Sequence, residues 1–183
     1  MQRDDGSLII AQRHNHDLAD YHIWQDKSKD CGPYTAATVI NFCRGQSIID
    51  PEDLAHQMNK PRLGSDLPFV HIRRIPNWAT FPWGIADVFK AYGLKPRWRF
   101  GATESDLRQG LREDRLLMPI FGEPFQRHGM KWRGWSHIAL LAGWEPGKYW
   151  FIDSSKETAP TYKSEQDFLR MWRGMGRILI EVR

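Results

Sequence analysis

The sequence predicts an α+β domain in which an early helix packs against a later antiparallel sheet. Three observations carry that expectation. Tyr34, Ala36, Ala37, Val39, Ile40 and Phe42 follow Cys31 as a segment that reads as a buried helix. Trp135 to Leu141 and Tyr149 to Asp153 read as two strands reversed by Glu145-Pro146-Gly147-Lys148. Arg177 to Val182 reads as a closing strand.

Taken in order, residues 1–20 are polar apart from Leu8 to Ala11 and read as an arm or a short edge strand. The helix that begins at Cys31 is expected to reach Phe42 or Arg44 and stop at Gly45, a common C-terminal signal. Asp50-Pro51-Glu52-Asp53 supplies a capping Asp, a first-turn Pro and first-turn acids, so a helix is expected over 51–59. Pro61, Gly64, Pro68, Pro76 and Pro82 forbid a long element over 60–82. Arg73, Arg74, Trp78, Phe81 and Trp83 make that stretch an aromatic and basic loop, readable as one wall of a substrate cleft or as a connection packed on its own side chains. Trp83 to Tyr92 is a short helix closed by Gly93, and Leu94 to Phe100 a strand. Thr103-Glu104-Ser105-Asp106 opens a helix whose inner face is Leu107 and Leu111. Leu116 to Phe121 is an apolar strand. Gly122, Pro124, Gly129 and Gly134 mark 122–134 as a loop with the character of a flap. Ser164 caps a last helix with Phe168, Leu169 and Trp172 on its buried face.

The length suits one domain, 21–183, behind the arm 1–20. Nine Trp point first to core filling. Twenty-six basic against 22 acidic residues leave a net charge of +4, with no basic run, so nucleic acid is not an expected partner. Cys31 and Cys43 on one helix would lie roughly 18 Å apart, too far for a disulfide. Unpaired thiols suit a reducing compartment. With no signal-peptide pattern, the expected location is cytoplasmic. No apolar run approaches the length of a membrane span. His14, His16 and His22 lack a Cys or carboxylate set at ligand spacing, so neither a metal nor another cofactor is expected.

Chemistry concentrates at Cys31. A thiol where a polar run meets a helix start sits near the positive end of the helix dipole, which favours the nucleophilic thiolate. The plain alternative is a small buried hydrophobe, as Cys43 is expected to be. The downstream residues decide between them. The hairpin brings the start of one strand beside the end of the next, and His137 and Asp153 stand at those positions. His137 is favoured as base over His128, because His128 lies on the Gly-flanked stretch and a base must be held rigidly. Gln25, six positions before Cys31, brings a side-chain amide within reach of the same cleft.

Gln25-x5-Cys31-Gly32-Pro33, then Trp135-x-His137, then an aromatic-rich strand ending Ile152-Asp153, resembles the C39-like branch of the papain-like cysteine peptidases. The intervals of six from Gln25 to Cys31 and sixteen from His137 to Asp153 also look papain-like. The resemblance covers roughly residues 20–183, with Pro82-Trp83-Gly84 in a plausible place. It implies a papain-like fold and a cysteine peptidase or related amidase acting on a peptide or protein. In that role Cys31 would be the nucleophile, His137 the base, Asp153 the orienting acid and Gln25 an oxyanion donor. Branch members attached to export transporters remove leader peptides after a double glycine. This sequence carries no transporter segment, so a freestanding peptidase is expected. A non-catalytic peptide-binding module and an acyl transferase of the same chemistry stay open as alternatives.

Overall fold

The computed structural model describes residues 10–11, 15–63, 70–128 and 130–183. Leu8, Ile9, His14, Gly64, Pro68 and Gly129, which the sequence reading singled out, lie outside them. The elements run β1 (Ile10–Ala11), α1 (Asn15–Asp20), α2 (Cys31–Arg44), α3 (Pro51–Asn59), β2 (Arg62–Leu63), β3 (Val70–His71), β4 (Arg74–Ile75), β5 (Ala79–Thr80) and α4 (Pro82–Ala91). There follow β6 (Pro96–Arg99), α5 (Glu104–Arg112), β7 (Leu116–His128), β8 (Lys131–Ile138), β9 (Leu140–Glu145), β10 (Lys148–Ile152), β11 (Thr161–Ser164), α6 (Glu165–Gly174) and β12 (Ile178–Val182).

The helix ends follow local chemistry. Asp50 accepts the Glu52 N–H at 2.8 Å to start α3. Thr103 and Asp106 form a reciprocal capping box on α5. Ser164 accepts the Asp167 N–H at 3.1 Å to start α6. Gly45 closes α2 in the left-handed conformation, with φ 64°. The proline-broken stretch after α3 forms two small hairpins, β2 with β3 and β4 with β5.

Six strands lie in the order β11-β10-β9-β7-β12-β6, with β1 added on β9 and β8 on β7, and every recorded pairing is antiparallel. Strand alternation sends Leu116, Met118 and Ile120 into one core with Val39, Ile40, Leu54 and Phe89, from α2, α3 and α4. It sends Leu117 and Phe121 into a second core with Leu107 and Leu111 of α5 and Phe168 and Trp172 of α6. A sheet covered on both faces explains why its strands read as continuous apolar runs. Gly32 through Asn41 of α2 are all buried, and the Thr35 hydroxyl donates to the Ile138 carbonyl at 3.2 Å, tying α2 to β8. The fold is therefore α+β, with the Cys31 helix against an antiparallel sheet.

Three expectations need correction. Residues 122–128 and 131–134 are strand rather than loop: β7 continues to His128 and pairs with β8, with a bulge between Glu123 and Gln126. The glycines permit close strand approach there. A Cβ at Gly122 would lie 2.1 Å from the Trp135 carbonyl oxygen, and one at Gly134 would lie 2.7 Å from Phe125 Cα. The strand expected from Trp135 to Leu141 breaks at Ala139, so His137 ends on β8 while β9 carries the hairpin to β10. Cys43 is exposed, because the last turn of α2 emerges from the core.

The α5-side core also holds a buried ion pair, Arg115 with Glu181. Glu181→Ala leaves a buried guanidinium without that partner and is expected to cost about 3–5 kcal/mol, read as a fall in the urea midpoint. Arg115 also meets the half-exposed Glu113 at 3.0 Å, and Glu113→Ala should cost under about 1 kcal/mol. Equal midpoint shifts for the two variants would overturn this assignment.

Candidate active site

Cys31 is the first residue of α2, and no side chain caps that first turn. The preceding Asp30 instead pairs with Arg74, a buried arginine that also donates to the Asn59 side chain. Arg73 is likewise buried and donates to the carbonyls of Gln57 and Lys60, the latter at 2.9 Å. The arginines expected on a basic loop are thus ties between that loop, α3 and the residue before Cys31. Gly32 allows the loop to close on α2, since a Cβ there would lie 2.5 Å from Thr80.

His137 sits on β8 opposite Phe121, whose ring meets the imidazole edge to face at 5.5 Å between centroids. Its Nε2 lies 2.6 Å from Asp153 Oδ1. Cys31 lines the same small cleft as His137 and contributes to the upward shift of its pKa. With Nε2 committed to the carboxylate, Nδ1 is the ring nitrogen left for the sulfur. Asp153 is buried just past β10. Its Oδ1 also accepts the Ser155 N–H at 2.9 Å and hydroxyl at 2.7 Å.

These contacts set the protonation states. Burial alone lowers the His137 pKa. The hydrogen bonds and negative charges of Asp153 and Cys31 outweigh it, and the imidazole is raised from 6.5 to about 9. For Asp153 burial pushes upward, but His137 and the two Ser155 bonds win and hold the carboxyl well below the usual range. Both directions favour an imidazolium–carboxylate pair.

Gln25 is buried. Its side-chain oxygen accepts the Ser154 hydroxyl at 2.7 Å, and its Nε2 donates to the Ser28 carbonyl at 2.8 Å. Its backbone N–H donates to the Ser154 carbonyl at 2.8 Å. Because the Ser28 carbonyl can only accept, the amide nitrogen must face it, and one Nε2 hydrogen stays uncommitted by these bonds. His22 Nε2 lies 3.1 Å from the Asp153 carbonyl oxygen. Residues 22–25 are therefore laced to residues 153–154.

A small cleft beside the pair is lined by Lys29, Cys31, Trp78, Ala79, Thr80, Ile120, Ser136, His137 and Ile138. The structure brings Cys31, His137 and Asp153 into one chain of contacts, with Gln25 joined to it through Ser154. The sequence reading missed Ser154 and Ser155 as partners and Arg74 as the holder of Asp30. The Asp153-Ser154-Ser155 turn signal was the available clue. The side chains of His16 and His128 lie outside the described residues. Among the described residues no group of three or more His, Cys, Asp and Glu is placed to hold a metal ion, and no helix is long and apolar enough to cross a membrane.

No protein-family model matches the sequence, and no curated protein matches it. Solved structures do. A C39-like peptidase from Bacillus anthracis superposes with a TM-score of 0.65 at 14% identity, covering 88% of this chain and 92% of that one. The peptidase domain of Streptococcus ComA, a bifunctional ABC transporter of a quorum-sensing pathway, superposes with a TM-score of 0.53 at 16% identity, covering 87% and 95%. At such identities the likeness shows the fold, which is that of the C39-like, papain-like peptidases.

Proposed function

We propose that this chain, with its C39-like peptidase fold, is a cysteine peptidase that cleaves a peptide bond through a thioester on Cys31. The observation that carries the reading is the His137–Asp153 hydrogen bond at 2.6 Å, made by a ring that lines one small cleft with Cys31. A cysteine at an uncapped helix start, a base in the same cleft and a buried acid behind the base have the chemistry of nucleophilic catalysis.

In this mechanism the Cys31 thiolate attacks the scissile carbonyl carbon. The carbonyl π electrons move to oxygen, and the Gln25 amide with the Cys31 backbone N–H holds that oxyanion. His137 gives its proton to the leaving amine as the C–N bond breaks, and the thioester remains. The neutral imidazole then takes a proton from water, which attacks the thioester and frees the acid and the thiolate. Asp153 fixes the ring tautomer and stabilises the imidazolium at each protonated stage. The substrate class is a peptide or protein, with water as acceptor. An amine in place of water would give the transferase outcome from the same thioester.

The test is the pH dependence of Cys31 alkylation by iodoacetamide, followed by peptide mass. Cys43 is the internal reference, its thiol pushed above its ordinary value by desolvation. Cys31 is expected to react well below about pH 8 and to lose that advantage in His137→Ala. If Cys31 instead titrates alongside Cys43 and the variant changes nothing, the catalytic reading fails and a non-catalytic peptide-binding module replaces it.

A further inference from the structure

The start of α2 is gripped by the β4–β5 hairpin, in which Arg74 and Thr80 stand opposite each other. Thr80 packs on Gly32, where an added Cβ would lie 2.5 Å from it. Arg74 is 5% exposed, and its two terminal nitrogens donate separately, Nη1 to the Asn59 side chain and Nη2 to the Asp30 carboxylate. That grip changes how the helix begins. Asp30, Asp50, Thr103 and Ser164 each precede a helix and each carries a side-chain oxygen suited to capping. Asp50, Thr103 and Ser164 do cap, with ψ of 124°, 164° and 143°. Asp30 has ψ 40° and makes no capping bond. Pro33 has no N–H, and the Tyr34 N–H goes to the Asp30 carbonyl at 3.1 Å. The first-turn donors of α2 are therefore those of Cys31 and Gly32, and a cap at Asp30 would take the Gly32 N–H.

We infer that Arg74 is a positioning residue for the nucleophile: by holding the Asp30 carboxylate on the hairpin, it keeps that charge off the first turn of α2 and leaves the turn's donors to the Cys31 sulfur and the oxyanion. This inference rests on the reading of Cys31 as the nucleophile and adds a residue to its machinery. Two effects run together. A carboxylate on the Gly32 N–H would offset the positive end of the helix. It would also set a negative charge beside the sulfur, and like charges disfavour each other's ionised form. With Arg74 in place the carboxylate is paired elsewhere. The other charged groups at the sulfur are Lys29, which lines the cleft, and His137 with Asp153 behind it.

The experiment is a double-variant cycle on the intact chain. Iodoacetamide alkylation is followed site by site through peptide mass at about pH 7, and the Cys31 rate is divided by the Cys43 rate in the same sample, which cancels reagent concentration. Arg74→Met frees the Asp30 carboxylate and is expected to slow Cys31 about tenfold. Asp30→Ala alone removes a carboxylate already held aside and should change the rate by less than about threefold. Asp30→Ala added to Arg74→Met should bring the rate back to within about threefold of wild type. An unchanged rate in Arg74→Met overturns the inference. So does a double variant as slow as Arg74→Met, the result of a purely structural tie. An equal Asp30→Ala effect in both backgrounds also overturns it, since two charges then act on the sulfur independently. If Arg74→Met does not fold by far-UV circular dichroism, Arg74→Gln, which keeps a donor for Asn59, is read in its place. Failure of the catalytic reading shows elsewhere, as a wild-type Cys31 that titrates alongside Cys43 and is unaffected by His137→Ala.

Discussion

Peptide turnover is expected to fall by about 10²–10⁴-fold when His137 is replaced by alanine, with the loss in kcat rather than KM. In the proposed mechanism the imidazole has two tasks, protonating the leaving amine and activating water. The same variant tests the electrostatics through stability. His137 has a folded pKa of about 9 against an ordinary 6.5. Its contribution to stability is therefore fully present below 6.5 and lost as pH rises through about 9. Asp153, with its pKa lowered from 3.8, contributes above that value and loses the contribution as pH falls through the depressed one. The Tm difference between wild type and His137→Ala should thus be large near pH 6 and shrink by about pH 10. A difference that stays constant over that range would mean that His137 titrates alike in the folded and unfolded chain, against the contacts described.

On the proposed mechanism Gln25→Ala is expected to give the second large loss, about 10²–10³-fold in kcat with KM little changed, the usual cost of removing one oxyanion donor. The ground-state carbonyl asks little of that donor, so binding should survive while the transition state loses its partner. Gln25→Glu should be no better, since a carboxylate offers no N–H and adds negative charge where negative charge develops. A Gln25→Ala enzyme whose loss falls entirely in KM would place Gln25 in substrate binding and leave the oxyanion to other donors. Far-UV circular dichroism on both variants separates these effects from unfolding, which matters because the Gln25 side chain is laced to Ser28 and Ser154.

Much of the local structure was legible because its causes are local. Asp50-Pro51, Thr103 with Asp106, and Ser164 with Asp167 each cap a helix through residues within three positions. Gly45 ends α2 for the same kind of reason. The ribbon of β7 and β8 was not legible, because its glycines carry the signature of a loop while serving a close crossing of two strands. Arg73 and Arg74 read only as part of an aromatic and basic loop, and the carbonyls and side chains of α3 and Asp30 explain their burial.

The sequence by itself determined the helix that starts at Cys31, the capped starts of α3, α5 and α6, the turn between β9 and β10, and the residue types that suit attack on a carbonyl. These follow from periodicity, capping and turn chemistry, which act over a few residues. The tertiary structure alone decided which ring nitrogen faces the acid, that Ser154 and Ser155 hold Gln25 and Asp153, and that Arg74 takes Asp30 away from capping. Each of these depends on groups brought together by sheet register and helix packing, often more than forty residues apart, and no local rule of sequence encodes such distances.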